Sequence, residues 1–179
     1  EDSVFQETPG GRLSAEIDDW SVEKIKRAGG DAVKVLTWYR PDADPGICAA
    51  QQDFTQRIGE ACAQYDIPFV FELLVYPLAK DAEQTTEYVE MKTKQAQLVI
   101  DSVRAFADPR FGVDLFKLES PVPAGDVPEP GSPGAAAVQA LFDELDRAAG
   151  RPWVMLSAGA GMTEFRRVLH YAYGAGASG

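Results

Sequence analysis

The chain alternates short apolar runs with stretches of helical periodicity, and three of the runs carry one ionisable residue near the middle. They are Ala32-Val33-Lys34-Val35-Leu36, then Phe69-Val70-Phe71-Glu72-Leu73-Leu74-Val75, then Val113-Asp114-Leu115-Phe116-Lys117-Leu118. Their length and their β-branched and aromatic content match strands buried on both faces of a parallel sheet. Even a neutral polar group left unpaired in such a place costs about 2 kcal/mol or more. A charge there is therefore ion-paired or functional.

The segments between the runs read as helices and loops. Carboxylates at Asp18-Asp19-Trp20-Ser21 open a helix that Gly29-Gly30 stops. A loop rich in Pro, Asp and Gly spans Arg40 to Gly46. Phe54, Ile58, Ala61, Cys62 and Tyr65 follow at helical spacing, and the next strand starts at Ile67. Val89, Leu98, Val99, Val103 and Phe106 predict a further helix that Asp108-Pro109-Arg110 ends. Five prolines between Pro121 and Pro133 exclude regular structure from Ser120 to Gly134, which reads as a lid, a binding loop or a plain linker. A helix over Val138 to Leu145, a fourth strand at Trp153-Val154-Met155-Leu156-Ser157, and a last helix from about Thr163 to Tyr173 complete the pattern.

Four such alternations predict a parallel sheet covered by helices. A doubly wound sheet would follow its first strand with a glycine-rich phosphate turn. Here Trp38-Tyr39-Arg40-Pro41 follows it, with no G-x-G-x-x-G at that place. A (β/α)8 TIM barrel instead sets functional groups on several strands around one axis, which suits Lys34, Glu72 and Lys117. Such a barrel needs about 250 residues, against 179 here. The expectation is one α/β domain over residues 1–179, an incomplete (β/α)8 barrel of about four central-to-late strands lacking its first strands and its last strand.

Composition narrows the partners. A net charge of -11 gives no basic face for nucleic acid or an anionic membrane, and no run is long enough to span a bilayer. Cys48 and Cys62 form no C-x-x-C and read as reduced packing thiols, so a cytoplasmic setting is expected. The single histidine, His170, stands in a helical stretch and reads as solvated or capping. A catalytic zinc site draws on two or three histidines, so no metal and no cofactor is expected.

Alternate residues of a strand share a face, so Lys117 points with Leu115 and Glu119, and Glu72 with Val70, Leu74 and Tyr76. If those faces line a barrel, the two ionisable groups meet across neighbouring strands. A buried ion pair would account for them structurally. Two amines around one carboxylate leave one lysine incompletely neutralised, which is the setting for imine chemistry. Glu119 is either a second proton carrier or a residue that orients the loop. Ser157-Ala158-Gly159-Ala160-Gly161 offers small residues whose amides can approach a phosphate at a helix start, and the same residues also suit an ordinary turn.

Several longer strings are also present: Asp18-Asp19-Trp20-Ser21-Val22, Gly30-Asp31-Ala32-Val33-Lys34, Asp66-Ile67-Pro68-Phe69, Asp108-Pro109-Arg110-Phe111-Gly112-Val113-Asp114, Ser120-Pro121-Val122 and Leu156-Ser157-Ala158-Gly159. Through nearly its whole length the chain resembles the class I tagatose 1,6-bisphosphate aldolase family, which includes sulfofructose-phosphate aldolases. The resemblance implies that Lys117 is the Schiff-base lysine, Glu72 the acid/base and Lys34 a further active-site lysine. It also implies that Ser157, Ala158 and Gly159 form part of a phosphate site; Glu119, on the same face as Lys117, is expected beside the substrate. The implied reaction is metal-independent cleavage of a phosphorylated ketose, such as tagatose 1,6-bisphosphate, to glycerone phosphate and a three-carbon aldehyde. Alternatives are a sulfofructose-phosphate aldolase, another imine-forming sugar-phosphate lyase, or a non-catalytic sugar-phosphate sensor. The expected partners are a small phosphorylated ketose and further copies of the chain in a homo-oligomer.

Overall fold

A computed structural model describes residues 5–81, 91, 93 and 95–179. The chain opens with two strands, β1 (Phe5–Thr8) and β2 (Gly11–Ser14), paired antiparallel with Thr8 opposite Gly11. Sequence reading missed this hairpin, although Pro9-Gly10-Gly11 is a turn signal between two short runs. Gly11 has φ of 144°, and a Cβ there would lie 2.4 Å from the Tyr76 hydroxyl, so a side chain would both strain the backbone and collide.

Four strand-helix units follow. Helix α1 (Val22–Arg27) is capped by Ser21, whose side chain accepts from Lys24 N. It leads to β3 (Val33–Trp38), and Asp44 then caps α2 (Pro45–Gln64), with Pro45 in the first turn. Next come β4 (Phe69–Leu74) and α3 (Ala96–Phe106). Val89, expected on the face of that helix, lies outside the described residues. A 3-10 turn at Pro109–Phe111 precedes β5 (Leu115–Leu118), and α4 (Ala135–Ala149), β6 (Trp153–Met155) and α5 (Met162–Ala175) complete the order. Among the described residues no helix is long and apolar enough to cross a membrane.

The four later strands form one sheet in the order β3-β4-β5-β6, every pair parallel. Sequential neighbours with a helix between them are what a (β/α)8 barrel requires. α3 packs on α4 and α4 on α5, forming the outer layer. Phe69, Phe71, Phe116 and Trp153 face that layer and meet Phe106 and Phe142 in the main core. At about 25 cal/mol per Å² of apolar area, these aromatic side chains dominate the stabilisation of the sheet-helix interface. α2 lies against the turn before β5 so closely that a Cβ on Gly59 would sit 2.0 Å from the Phe111 carbonyl oxygen.

The opposite face of the sheet carries a second cluster: Trp38, Leu74, Tyr76, Leu78, Leu156 and Ala158, with Phe5 of the hairpin packed against it. These residues lie at or beyond the C-terminal ends of the strands, which is where barrels build their sites. The proline-rich segment is irregular apart from a 3-10 turn at Ala124–Asp126. It packs on α5, where the Tyr171 hydroxyl donates to Pro128 O at 3.0 Å.

Candidate active site

The parallel register sets Glu72 directly opposite Lys117 across β4 and β5. Lys34 stands opposite Val70 on β3, one inward position below Glu72, and its four-carbon stem covers the difference. The two amines converge on one atom: Lys34 Nζ lies 2.9 Å from Glu72 Oε2 and Lys117 Nζ 3.2 Å from the same oxygen. Glu72 is fully buried, whereas the lysine side chains are 38% and 31% exposed. The carboxylate thus sits at the floor of the site, and both amines open toward solvent. A small carbonyl compound reaching Lys117 would meet a nucleophile, an acid/base and a second cation together.

The other expected residues lie higher on the same side. Glu119 is buried, and its Oε1 accepts from Val75 N at 2.6 Å, so it ties the end of β5 to the chain leaving β4. Ser157 and Gly159 are exposed and Ala158 is buried. Ala158 and Gly159 have φ of 47° and 80°, so the chain turns sharply there, and Ala160 N donates to Ser157 O at 2.9 Å. No side chain hydrogen-bonds the first amides of the following helix at Gly161, although the Glu164 carboxylate lies against that turn.

Two arginines at this end were not singled out from the sequence. Arg12 is buried with its guanidinium 4.6 Å from the Phe5 ring centroid and 4.8 Å from those of Trp38 and Tyr76, and its Nε donates to Glu7 at 2.7 Å. It fastens the hairpin across the ends of β3 and β4 by cation-π attraction. Arg40 holds Asp42 through two hydrogen bonds of 2.7 and 2.9 Å, and its Nη1 donates to Tyr76 O and to Asp81, each at 2.8 Å. Burial works against the Arg40 charge, but the hydrogen bonds with Asp42 and Asp81 outweigh it and raise the guanidinium above its ordinary value. The same hydrogen bond from Arg40 holds the Asp42 carboxyl below its usual range. The sequence signal was an arginine directly after a buried run, followed within a few positions by Asp42.

A groove of about 700 Å³ runs along β3, between α1 and α2, and includes Trp20, Ile25, Val33, Phe54 and Ile58. It is mostly apolar and touches the ionisable cluster only through Lys34. The three ionisable groups meet on the sheet's inner face instead.

Residues 7–179 match the DeoC/LacD family aldolase model. The chain belongs to this family. Tagatose 1,6-diphosphate aldolase 2 of Streptococcus mutans serotype c is 34% identical over 174 residues, covering 93% of this chain and 51% of the relative. Tagatose 1,6-diphosphate aldolase 1 of Streptococcus pyogenes serotype M1 is 35% identical over 182 residues, covering 99% and 55%. The chain therefore spans about half the length of the curated relatives it matches. A solved structure from work on the mechanism of the Schiff base forming fructose-1,6-bisphosphate aldolase aligns with a TM-score of 0.61 at 19% identity, covering 93% of this chain and 54% of that one. An archaeal fructose 1,6-bisphosphate aldolase aligns at 0.59, also at 19% identity, covering 93% and 53%. At that identity the likeness speaks for the fold, an arc of four strands of the (β/α)8 type.

Proposed function

We propose that this chain carries the catalytic centre of a class I aldolase that cleaves a phosphorylated ketose through an imine on Lys117. The observation that carries the reading is the placing of two amines on one buried carboxylate oxygen, at 2.9 and 3.2 Å, on the inner face of a family barrel. The Lys117 Nζ lone pair adds to the C2 carbonyl, and Glu72 carries the proton from nitrogen to the departing hydroxyl. Loss of water leaves an iminium. A base then takes the C4 hydroxyl proton, the C3–C4 electron pair flows into the iminium, and the aldehyde leaves. Protonation of the resulting enamine at C3 and hydrolysis release glycerone phosphate and restore Lys117. Lys34 places positive charge beside oxygen that becomes negative along this path.

Relatives named for tagatose 1,6-diphosphate support that ketose as the first substrate to test. The small residues of the Ser157 to Gly159 turn suit one of its phosphates. The free thiols Cys48 and Cys62 support a reducing, cytoplasmic setting. Incubation of the protein with ketose phosphate and borohydride, followed by peptide mapping, tests the mechanism. A stable adduct on Lys117 is expected. An adduct elsewhere, or none while cleavage continues, would refute it. Comparison of tagatose, fructose and sulfofructose phosphates as substrates then assigns the sugar.

A further inference from the structure

Outside the catalytic cluster, a cleft of about 320 Å³ lies between α5 and the proline-rich loop, lined by Glu129, Pro130, Thr163, Arg166, Arg167 and His170. Thr163, Arg166, Arg167 and His170 follow helical spacing, so one face of α5 presents two guanidinium groups, an imidazole and a hydroxyl to the same space. The loop wall is fixed by the bond from Tyr171 to Pro128.

The cleft is rich in donors and poor in acceptors. Among the described residues, the Arg166 side chain makes no hydrogen bond or ion pair, and the His170 ring packs edge-on against the Tyr171 ring. Arg167 approaches Glu129 at 3.5 Å and Glu164 at 4.0 Å, both too long for a strong charge-assisted bond. Its Nε is closed off from solvent and has no hydrogen-bond partner. A buried donor without an acceptor is costly, and two guanidinium charges lining one small cleft repel each other. Both costs are relieved by the same ligand, an oxyanion in the cleft.

We propose that this cleft is a binding site for the phosphate group of a small phosphorylated metabolite, separate from the catalytic centre and independent of the aldolase reading. Planar guanidinium forks match phosphate oxygens in pairs, and the Thr163 hydroxyl is placed to donate a further bond. With a chain net charge of -11, the long-range field repels anions, so the local donors must do the holding. Glu129 competes with the ligand for Arg167 and keeps the affinity modest.

The only histidine of the chain is in the cleft, so its imidazole NMR signal reports this site without ambiguity. Titration with inorganic phosphate at constant ionic strength should move the His170 resonance saturably. A chloride titration should not. Arg166 is exposed, so Arg166→Ala retains the fold, and it should weaken the effect by about tenfold or more. Glu129→Gln should tighten it, while borohydride trapping on Lys117 stays unchanged in both variants. A His170 signal that phosphate does not move, or that moves equally in the Arg166→Ala variant, overturns the proposal. Loss of trapping on Lys117 with an intact His170 response would fault only the aldolase reading.

Discussion

Removing the partners of Glu72 one at a time tests whether the ionisable cluster is a mutually dependent unit. At an effective dielectric of about 20, unit charges about 4 Å apart attract by about 4 kcal/mol. Among the described residues Glu72 makes two such pairs, at 2.9 and 3.2 Å, for a gross attraction of about 8 kcal/mol, from which the mutual repulsion of the two amines takes back a few kcal/mol. Against this stands a desolvation cost of several kcal/mol for the carboxylate, which is fully buried. The lysine side chains, about a third exposed, keep part of their hydration. One lysine therefore roughly offsets the burial of Glu72, and the second supplies a modest surplus. Lys34→Met or Lys117→Met alone should cost about 1 to 2 kcal/mol of stability, since the other lysine stays in place. With both replaced, the buried carboxylate loses two neighbouring cations at once, and the loss should reach about 3 to 5 kcal/mol. The double variant then exceeds the sum of the single variants by about 1 kcal/mol or more. Replacing all three residues by Met removes the buried charge itself and should return stability to near or above that of the parent. Urea unfolding of the five proteins measures each quantity. A double-lysine variant as stable as the parent, or a triple variant as weak as the double, would refute the reasoning.

Other positions give independent checks. Lys117→Met should abolish ketose cleavage and borohydride trapping together, and residual cleavage would show another nucleophile. Arg12→Leu forfeits three cation-π contacts and the bond to Glu7, so thermal unfolding should register a loss of about 2 kcal/mol. The lowered Asp42 carboxyl contributes stability above its unfolded value of about 3.9, and this contribution fades as pH falls through the folded value. Asp42→Asn should therefore be less stable than the parent above about pH 4, with the gap closing in more acid solution. A gap that stays constant with pH counts against the Arg40 pair. Burial pushes the Cys62 thiol up to about 11, so a disulfide reagent near neutral pH should label it only after unfolding.

The strand-helix alternation was legible because each element carries its own local signal. Period-2 or continuous apolar runs marked β3 to β6, and Ser21, Asp44 and Asp108 sit at caps whose chemistry is local. That Lys117 and Glu72 share their faces with Leu115, Glu119, Val70, Leu74 and Tyr76 also followed from alternation along a strand. The β1–β2 hairpin escaped because its strands have only four residues each, too few for a pattern to stand out. Arg12 and Arg40 escaped because an arginine reads as surface until its partners are known, and those partners lie up to 64 positions away. Glu119 had two readings, and its bond to Val75 N gives weight to the loop-orienting one.

The sequence alone determined which residues would be costly to bury, and therefore that Lys34, Glu72 and Lys117 needed a common explanation. Desolvation depends on residue type and on the apolar run around it, both of which are written along the chain. Only the tertiary structure decided that both amines meet the same carboxylate oxygen, that Arg12 closes the hairpin over the strand ends, and that α5 faces the proline loop across a cationic cleft. Those outcomes depend on strand register and helix packing, and a shift of one residue in register would send every one of the inner groups to the other face.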